Sequence, residues 1–170
     1  FLRSLVGSST LGRMESFVRA TLITTTTYGT WLPGDARGYV EGGRILPPAP
    51  RLAAHPSRQL RRDPMLLSEL QRHRVFESLC AAADEFAYRL SDIVVETTHV
   101  HWIVGHDDAM AAMVGRLKTH TRQALQVGRV WTNGYCGRRL ETLAELQTAR
   151  EYLARHAGVN NDCRKAPFAN

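Results

Sequence analysis

The sequence has few cysteines and no long apolar run. Cys80, Cys136 and Cys163 are widely spaced, and no two of them form a Cys-x-x-Cys pair. This argues against a zinc–thiolate site or a disulfide framework and favours a reducing, cytoplasmic location. No stretch of roughly 18 apolar residues occurs, so we expect no membrane-spanning helix. Residues 1–13 lack the pattern of a signal peptide, and we expect a disordered or non-native leader there, with Met14 as the initiator.

Lysine is also scarce, but the chain is basic because it is rich in arginine. Its 22 Lys and Arg residues outnumber its 16 Asp and Glu residues, which gives a net charge of +6. A basic balance suits a polyanionic partner such as nucleic acid, although a basic protein without such a partner has the same composition. A length of 170 residues predicts one domain. We expect it to span residues 14–160, with an irregular proline-rich insertion at 36–64 and a loose tail at 161–170.

Apolar periodicity and turn residues predict a mixed fold. Val18–Thr27 is dense in β-branched residues, as is typical of a strand. The other predicted elements are a helix from a capping box at Ser68 to about Tyr88, strands at 91–96 and 99–105, a helix at 109–127, a short hairpin of 130–132 and 137–140 around Asn133-Gly134, and a helix at 143–157 that Gly158 ends. This order predicts an α+β fold of the ferredoxin-like βαββαβ plan, with a central antiparallel sheet and an extra C-terminal helix.

The most informative pattern is His99-Val100-His101, within an apolar run. Alternate residues of a strand point to the same side, so both imidazoles are expected to face outward while Val100 faces the core. Two imidazoles on one face can hold a divalent metal ion. A chance pair is the alternative, because the chain has 7 histidines.

Tyr152 and His156 lie four residues apart in the last predicted helix and would therefore share one helix face. A phenol, with a pKa of about 10, is a weak nucleophile, so Tyr152 would need a phosphate polarised by a metal ion. His156 would complete a metal site with His99 and His101. The alternatives are a core tyrosine and a solvent-facing histidine, whose positive charge is favourable near a helix C-terminus. Tyr135 is a rival nucleophile, but it lies beside a predicted turn.

Several residues are candidates for contact with nucleic acid. Arg116, Lys118 and Arg122 are expected on the outward face of their helix, where they would contact phosphates or form an ordinary solvated surface. Trp31 is a candidate for stacking on an unpaired base, and Tyr39, Trp102, Trp131 and Tyr135 could do the same, although most of these aromatic residues are expected in the core.

Taken together, these segments resemble the HUH-type single-tyrosine transposases, the insertion sequence 200-like group that includes the REP-associated tyrosine transposases. The resemblance covers residues 18–158. The matching features, in family order, are the first strand with Gly29-Thr30-Trp31-Leu32-Pro33-Gly34-Asp35, the strand His99-Val100-His101-Trp102-Ile103-Val104, the helix segment Arg116-Leu117-Lys118-Thr119, the pair Val130-Trp131, and Tyr152-Leu153 on the last helix.

The resemblance implies a metal site that usually holds Mg²⁺ or Mn²⁺, and a catalytic Tyr152. It implies that this tyrosine attacks single-stranded DNA, forms a 5′-phosphotyrosine link and frees a 3′-hydroxyl for later rejoining. Family members recognise hairpins formed by imperfect palindromes, and they include both monomers and homodimers. We therefore expect a metal-dependent transposase that acts in DNA transposition and recombination, with hairpin-forming single-stranded DNA as its partner.

The chain departs from the family pattern at three places. The third ligand, usually Gln or Asn, is His156 here, which would shift the metal preference towards softer ions. Thr98 replaces the usual Asp before the histidines, and His156-Ala157 stands where the family has Asn-Pro. These departures keep two alternatives open. One is a decayed or domesticated copy that binds a DNA or RNA hairpin without cutting it, and the other is a metal-dependent hydrolase that activates water instead of Tyr152.

Overall fold

In the computed structural model of the protein, segments rich in β-branched residues form strands and segments with a helical apolar stripe form helices. The structure describes residues 17–32, 34–42, 44–54 and 60–161. The strands in this part of the chain are β1 (Phe17–Thr26), β2 (Tyr39–Glu41), β3 (Arg44–Leu46), β4 (Arg89–Val95), β5 (His99–Gly105), β6 (Cys136–Thr142) and β7 (Val159–Asn161). The helices are α1 (Pro50–Ala53), α2 (Glu69–Glu85), α3 (Met110–Leu125) and α4 (Leu143–Ala154). The fold is therefore α+β, as the sequence predicts.

The larger elements follow one another in the predicted order: β1, α2, β4, β5, α3, β6 and α4. Helix α2 begins at the predicted capping box, where the Ser68 hydroxyl accepts the Gln71 N–H and the Gln71 side chain accepts the Ser68 N–H. The predicted leader, residues 1–13, lies outside the described residues, and so does the predicted tail apart from Asn161.

The main sheet has the strand order β6-β1-β5-β4-β7, and each neighbouring pair is antiparallel. In the central pair, Thr24 of β1 lies opposite His101 of β5, and Thr26 lies opposite His99. Residues directly opposite each other on antiparallel strands have side chains on the same face. The register therefore brings two threonines and two histidines to one face of the sheet.

Helices α2 and α3 cover one face of this sheet, and α4 covers the other. Val100, Trp102 and Val104 of β5 belong to the larger core beneath α2 and α3. Ile103 belongs to a smaller core beneath α4. Because side chains alternate along a strand, His99 and His101 lie on the α4 face.

Helix α4 follows β6 directly, and its first turn is fixed by a second capping box. Thr142 Oγ1 accepts the N–H of Glu145, and the Glu145 carboxylate accepts the N–H of Thr142. Its buried face packs into the smaller core through Leu146, Ala149 and Leu153. An ion pair of 3.0 Å joins Arg150 to Asp92 of β4. These contacts fix the rotation of α4 against the sheet.

The predicted hairpin around Asn133-Gly134 is wrong. Residues 130–132 do not pair with β6, because Trp131 instead forms an isolated bridge with Thr27, just beyond the end of β1. Strand β6 pairs with β1 itself. Both segments therefore lie along the same edge of β1, and the chain between them forms an irregular loop rather than a tight turn between paired strands.

Two further segments differ from the expectation. Residues 36–64, expected to be irregular, contain the hairpin of β2 and β3 and the short helix α1. Helix α4 ends at Ala154 instead of 157, and Gly158 does not cap it. The Gly158 backbone lies so close to β4 that a Cβ there would be 2.5 Å from the Val95 carbonyl oxygen. This close approach leads into β7, an edge strand that the sequence did not predict.

In the described part of the chain, no helix is both long enough and apolar enough to cross a membrane.

Candidate metal and tyrosine site

Two histidines of β5 form the floor of the candidate site. His101 is 4% exposed, His99 is half-buried, and their ring centroids are 4.7 Å apart. The expectation that both imidazoles face outward is wrong for His101, because α4 and the residues after it cover this part of the sheet.

His156 approaches the same point from the segment that follows α4. Its ring centroid is 4.7 Å from that of His101 and 5.6 Å from that of His99. It is 5.0 Å from the ring of Tyr152, but the two residues do not share a helix. His156 lies beyond the last helical residue, and its N–H donates to the Leu153 carbonyl. We call His99, His101 and His156 the histidine cluster.

Each ring of the histidine cluster has a second polar group beside its Nδ1. Thr24 Oγ1 lies 2.8 Å from Nδ1 of His101, and Thr98 Oγ1 lies 3.1 Å from Nδ1 of His99. A carboxylate oxygen of Glu96 lies 3.5 Å from Nδ1 of His156 and also accepts the N–H of Gly158. Metal-ligating histidines commonly have such a partner on the other ring nitrogen, which orients the ring and its tautomer. The arrangement leaves the Nε2 atoms for a ligand.

The histidine cluster fits a divalent metal ion. Each histidine offers one ring nitrogen, and these three atoms lie within 4.8 Å of one another. Nε2 of His101 is buried, and it has no hydrogen-bond partner among the described residues. A buried polar atom of this kind needs an explanation such as a bound ion or water.

The protonation states also suit a metal ion. Burial is the main cause that lowers the pKa of His101 to about 3, and the neighbouring His99 and His156 contribute to this shift. Burial is also the main cause that lowers the pKa of His99, followed by the charge of His156. Both rings are therefore neutral at pH 7, with lone pairs available for a cation.

Tyr152 stands at the edge of α4, beside the histidine cluster. Its ring centroid is 5.4 Å from that of His101, and the residue is 40% exposed. Its neighbour Leu153 is buried in the smaller core and so holds the helix in this rotation. Tyr135, the rival nucleophile, instead packs at the border of the larger core.

A cleft of about 230 Å³ opens above His99 and His101 of the histidine cluster, and Trp31, Arg37, Cys136 and Tyr152 contribute to its walls. Trp31 Nε1 donates to the Gly38 carbonyl at 2.6 Å, and the Arg37 guanidinium lies 5.3 Å from the centre of the Trp31 ring. Arg37 lies near enough to His99 to lower its pKa. A fixed aromatic ring and a cation therefore border the cluster.

Of the four residues predicted to contact DNA, Trp31 borders the cluster, and the three cations of α3 lie on the opposite face of the sheet. Arg116 donates to the Tyr88 hydroxyl at 2.8 Å and forms an ion pair with Asp108. Arg122 is exposed.

Lys118 is only half-exposed, and it forms hydrogen bonds to the segment that precedes β6. Its Nζ donates to the carbonyl of Thr132 at 2.9 Å and to that of Gly134 at 2.6 Å. Burial lowers its pKa to about 8. Through these bonds Lys118 stabilises the irregular loop between residues 130 and 136.

The sequence did not single out Thr24, Glu96 or Arg37 as site residues. Thr24 belongs to a run of four threonines, and strand alternation would have separated this run into two faces. Its pairing with His101 depends on the register of β1 and β5, which one sequence does not give. Glu96 is the last residue of the predicted strand 91–96, but its partner His156 lies far along the chain.

The fold is similar to that of a solved REP-associated tyrosine transposase bound to a REP hairpin. The match has a TM-score of 0.51 and covers 84% of this chain and 68% of that chain, with 10% sequence identity. No model of a known protein family matches the sequence, and no curated protein matches it either. At this identity the similarity extends to the fold alone.

Proposed function

We propose that the protein is a transposase-like endonuclease that cleaves and rejoins hairpin-forming single-stranded DNA through Tyr152. The observation that carries the proposal is the contact of an accessible tyrosine with two of the three clustered histidines, His101 and His156, whose ring centroids lie 5.4 Å and 5.0 Å from that of Tyr152. A nucleophile beside a divalent metal site is the arrangement that attack on a phosphodiester requires.

The strand order supports the ferredoxin-like plan for the domain. A βαββαβ chain of this type has its first and third strands in the middle of the sheet, and here β1 and β5 are central, with β6 and β4 beside them. Helix α4 is then the added element that carries the tyrosine. The similar solved structure is bound to a REP hairpin, and we extend hairpin DNA to this protein as part of the proposal.

His99, His101 and His156 would hold the metal ion. A bound Mg²⁺ or Mn²⁺ would polarise the scissile phosphate and stabilise charge on the leaving oxygen. Imidazole is a softer ligand than carboxylate, so we expect Mn²⁺ to bind more tightly than Mg²⁺. Thr24, Thr98 and Glu96 would keep the three rings oriented.

Tyr152 supplies the nucleophile. Its phenolic oxygen forms the new bond to phosphorus and loses its proton to solvent, while the 3′-oxygen of the preceding nucleotide leaves with the electron pair and becomes a 3′-hydroxyl. The product is a 5′-phosphotyrosine, which retains the energy of the broken phosphodiester. Attack by a 3′-hydroxyl on this link reverses the step and joins DNA at a new junction.

A covalent-adduct assay tests the proposal. Labelled single-stranded DNA from the flanks of the gene is incubated with the protein and Mn²⁺ or Mg²⁺, then run on a denaturing protein gel. We expect a shifted, labelled band that Tyr152→Phe abolishes and chelation prevents. Tyr88→Phe is the control, because Tyr88 lies in the opposite layer and bonds to Asp108.

The other outcomes separate the alternatives. An adduct that survives Tyr152→Phe contradicts the assignment of the nucleophile. Tight binding of a hairpin without any adduct identifies a binding module instead. Metal-dependent cleavage without an adduct identifies a hydrolase that activates water.

A further inference from the structure

A second cavity, of about 430 Å³, adjoins the cleft of the histidine cluster. The two cavities share Thr24, Thr26 and Trp31 as wall residues. A volume of this size falls in the range of small-ligand sites. A strand of nucleic acid with its phosphate at Tyr152 would therefore meet this cavity within one or two nucleotides.

The walls of this cavity combine aromatic rings with positive charge. Tyr28, Trp31, Tyr39 and Tyr135 line it, together with Arg61 and Arg129, and none of the described residues that line it is acidic. Aromatic faces stack on unpaired bases, and arginine attracts the phosphates that join them. The composition favours an anionic ligand with a flat ring.

Two of the aromatic residues are held firmly. The hydroxyl of Tyr28 accepts the N–H of Arg61 at 3.1 Å, and the Arg129 guanidinium lies 4.9 Å from the centre of the Tyr28 ring. Trp31 is fixed by its bond to the Gly38 carbonyl. Rings that are already oriented lose little freedom when a base stacks on them.

The rim of the cavity presents hydrogen-bond donors. The carbonyls of Thr132 and Gly134 are occupied by Lys118 Nζ. The side-chain oxygen of Asn133 is occupied by Arg129, which donates to it at 2.6 Å. The amide nitrogen of Asn133 and the remaining N–H groups of Arg129 lie side by side at this rim and can donate to a ligand. A base that offers two acceptors on one edge, as guanine does with N7 and O6, matches this rim.

We infer that this cavity, the base pocket, binds one unpaired guanine of the DNA strand next to the cleaved phosphate. The inference rests on the proposed function, because it takes the strand to lie across Tyr152. Asn133 and Arg129 donate hydrogen bonds to the edge of the base, and Tyr135 and the other aromatic residues stack on its face. Lys118 is a positioning residue, because its bonds to the Thr132 and Gly134 carbonyls fix the rim of the pocket.

Affinity selection tests the inference. The probe is a single-stranded DNA library in which a stable stem-loop is flanked on each side by eight random nucleotides, and the protein carries Tyr152→Phe so that the DNA is not cut. We expect enrichment of guanine at one fixed position, roughly 10-fold or more over the other bases. Adding Asn133→Ala should remove this preference while the overall affinity falls by no more than about 3-fold.

Matched variants and a second probe sharpen the test. Asn133→Asp replaces the donor by an acceptor and should turn the preference against guanine, whereas Arg74→Met, which removes an exposed charge from α2, should leave it unchanged. Tyr135→Leu should weaken binding of the preferred oligonucleotide by about 10-fold and leave binding of the same oligonucleotide with an abasic site unaltered. Thermal melting of each variant confirms that it is folded.

The results distinguish failure of the pocket from failure of the function. If DNA is bound and the Tyr152 adduct forms, but the base preference is absent or survives both Asn133 variants, the base pocket is refuted and the endonuclease stands. If the protein retains no DNA from the library and forms no adduct, the proposed function and the base pocket both fall.

Discussion

The two faces of the main sheet bury different kinds of side chain. Under α2 and α3, the core contains large apolar residues such as Leu79, Trp102 and Leu117, which are 2% exposed or less. Under α4 the apolar core is smaller, and at one end of it the apolar side chains give way to the histidine cluster and Tyr152. Strand β5 contributes to both faces with alternate residues. Neighbouring positions of β5 therefore contribute either to the stability of the fold or to the candidate site. A substitution on one face can test one of these properties without changing the other.

The largest expected effect on stability comes from the face under α2 and α3. Leu117→Ala removes a fully buried side chain and should lower the free energy of unfolding by about 2–5 kcal/mol. Because Leu117 lies on the other side of the sheet, Mn²⁺ affinity of the folded protein should stay within about 2-fold of wild type. Urea denaturation and calorimetric titration measure the two quantities. Loss of metal affinity in the folded variant would mean that the faces are coupled.

His101→Leu should have the opposite pattern of effects, with weaker metal binding and an almost unchanged free energy of unfolding. It removes a ligand of the proposed metal site and should weaken Mn²⁺ binding by roughly 100-fold or more, since even outer partners of ligands contribute 10–100-fold. The apo protein should keep its free energy of unfolding to within about 1 kcal/mol, because removal of the unpaired buried Nε2 offsets the loss of the hydrogen bond between Nδ1 and Thr24. Unchanged metal affinity would remove His101 from the site.

Two adjacent threonines of β1 offer a more sensitive comparison. Thr24→Val removes the hydroxyl that bonds to Nδ1 of His101 and should weaken Mn²⁺ binding by about 10–100-fold. Thr25→Val is the matched control on the opposite face, where the buried Thr25 hydroxyl has no hydrogen-bond partner within the described chain. It should leave metal affinity unchanged and raise stability slightly. Equal effects of the two variants on metal binding would contradict the orienting role of Thr24.

The smallest expected effect concerns the attachment of α4. Arg150→Met breaks the partly exposed ion pair with Asp92 and should lower the free energy of unfolding by about 0.5–1 kcal/mol. Arg74→Met on α2 is the control and should change it by less than about 0.5 kcal/mol. Denaturation at low and high salt checks the cause, because only the Arg150 effect should shrink as salt is added.

The sequence predicts the larger elements and the three residues of the histidine cluster better than it predicts the long-range contacts between them. Strand alternation was enough to place His99 and His101 on one face, and the capping box at Ser68 marked the start of α2. The hairpin at Asn133-Gly134 was wrong because a local turn signal competes with pairing to a distant strand.

Long-range contacts account for most of what the sequence did not predict. The partnership of Thr24 with His101 depends on strand register, and that of Glu96 with His156 depends on the path of the chain after α4. The burial of His101 depends on a helix more than forty positions later in the chain.

The route of the chain around His156 has a consequence for insertions and deletions. His156 lies in a short span that is fixed at one end by α4 and at the other by the close approach of Gly158 to β4. Adding or removing a single residue in this span would shift His156 out of reach of its two partner histidines. Tyr152, on the helix, would stay where it is. The length of this connector, as much as the identity of its histidine, therefore determines whether Tyr152 and His156 stay together.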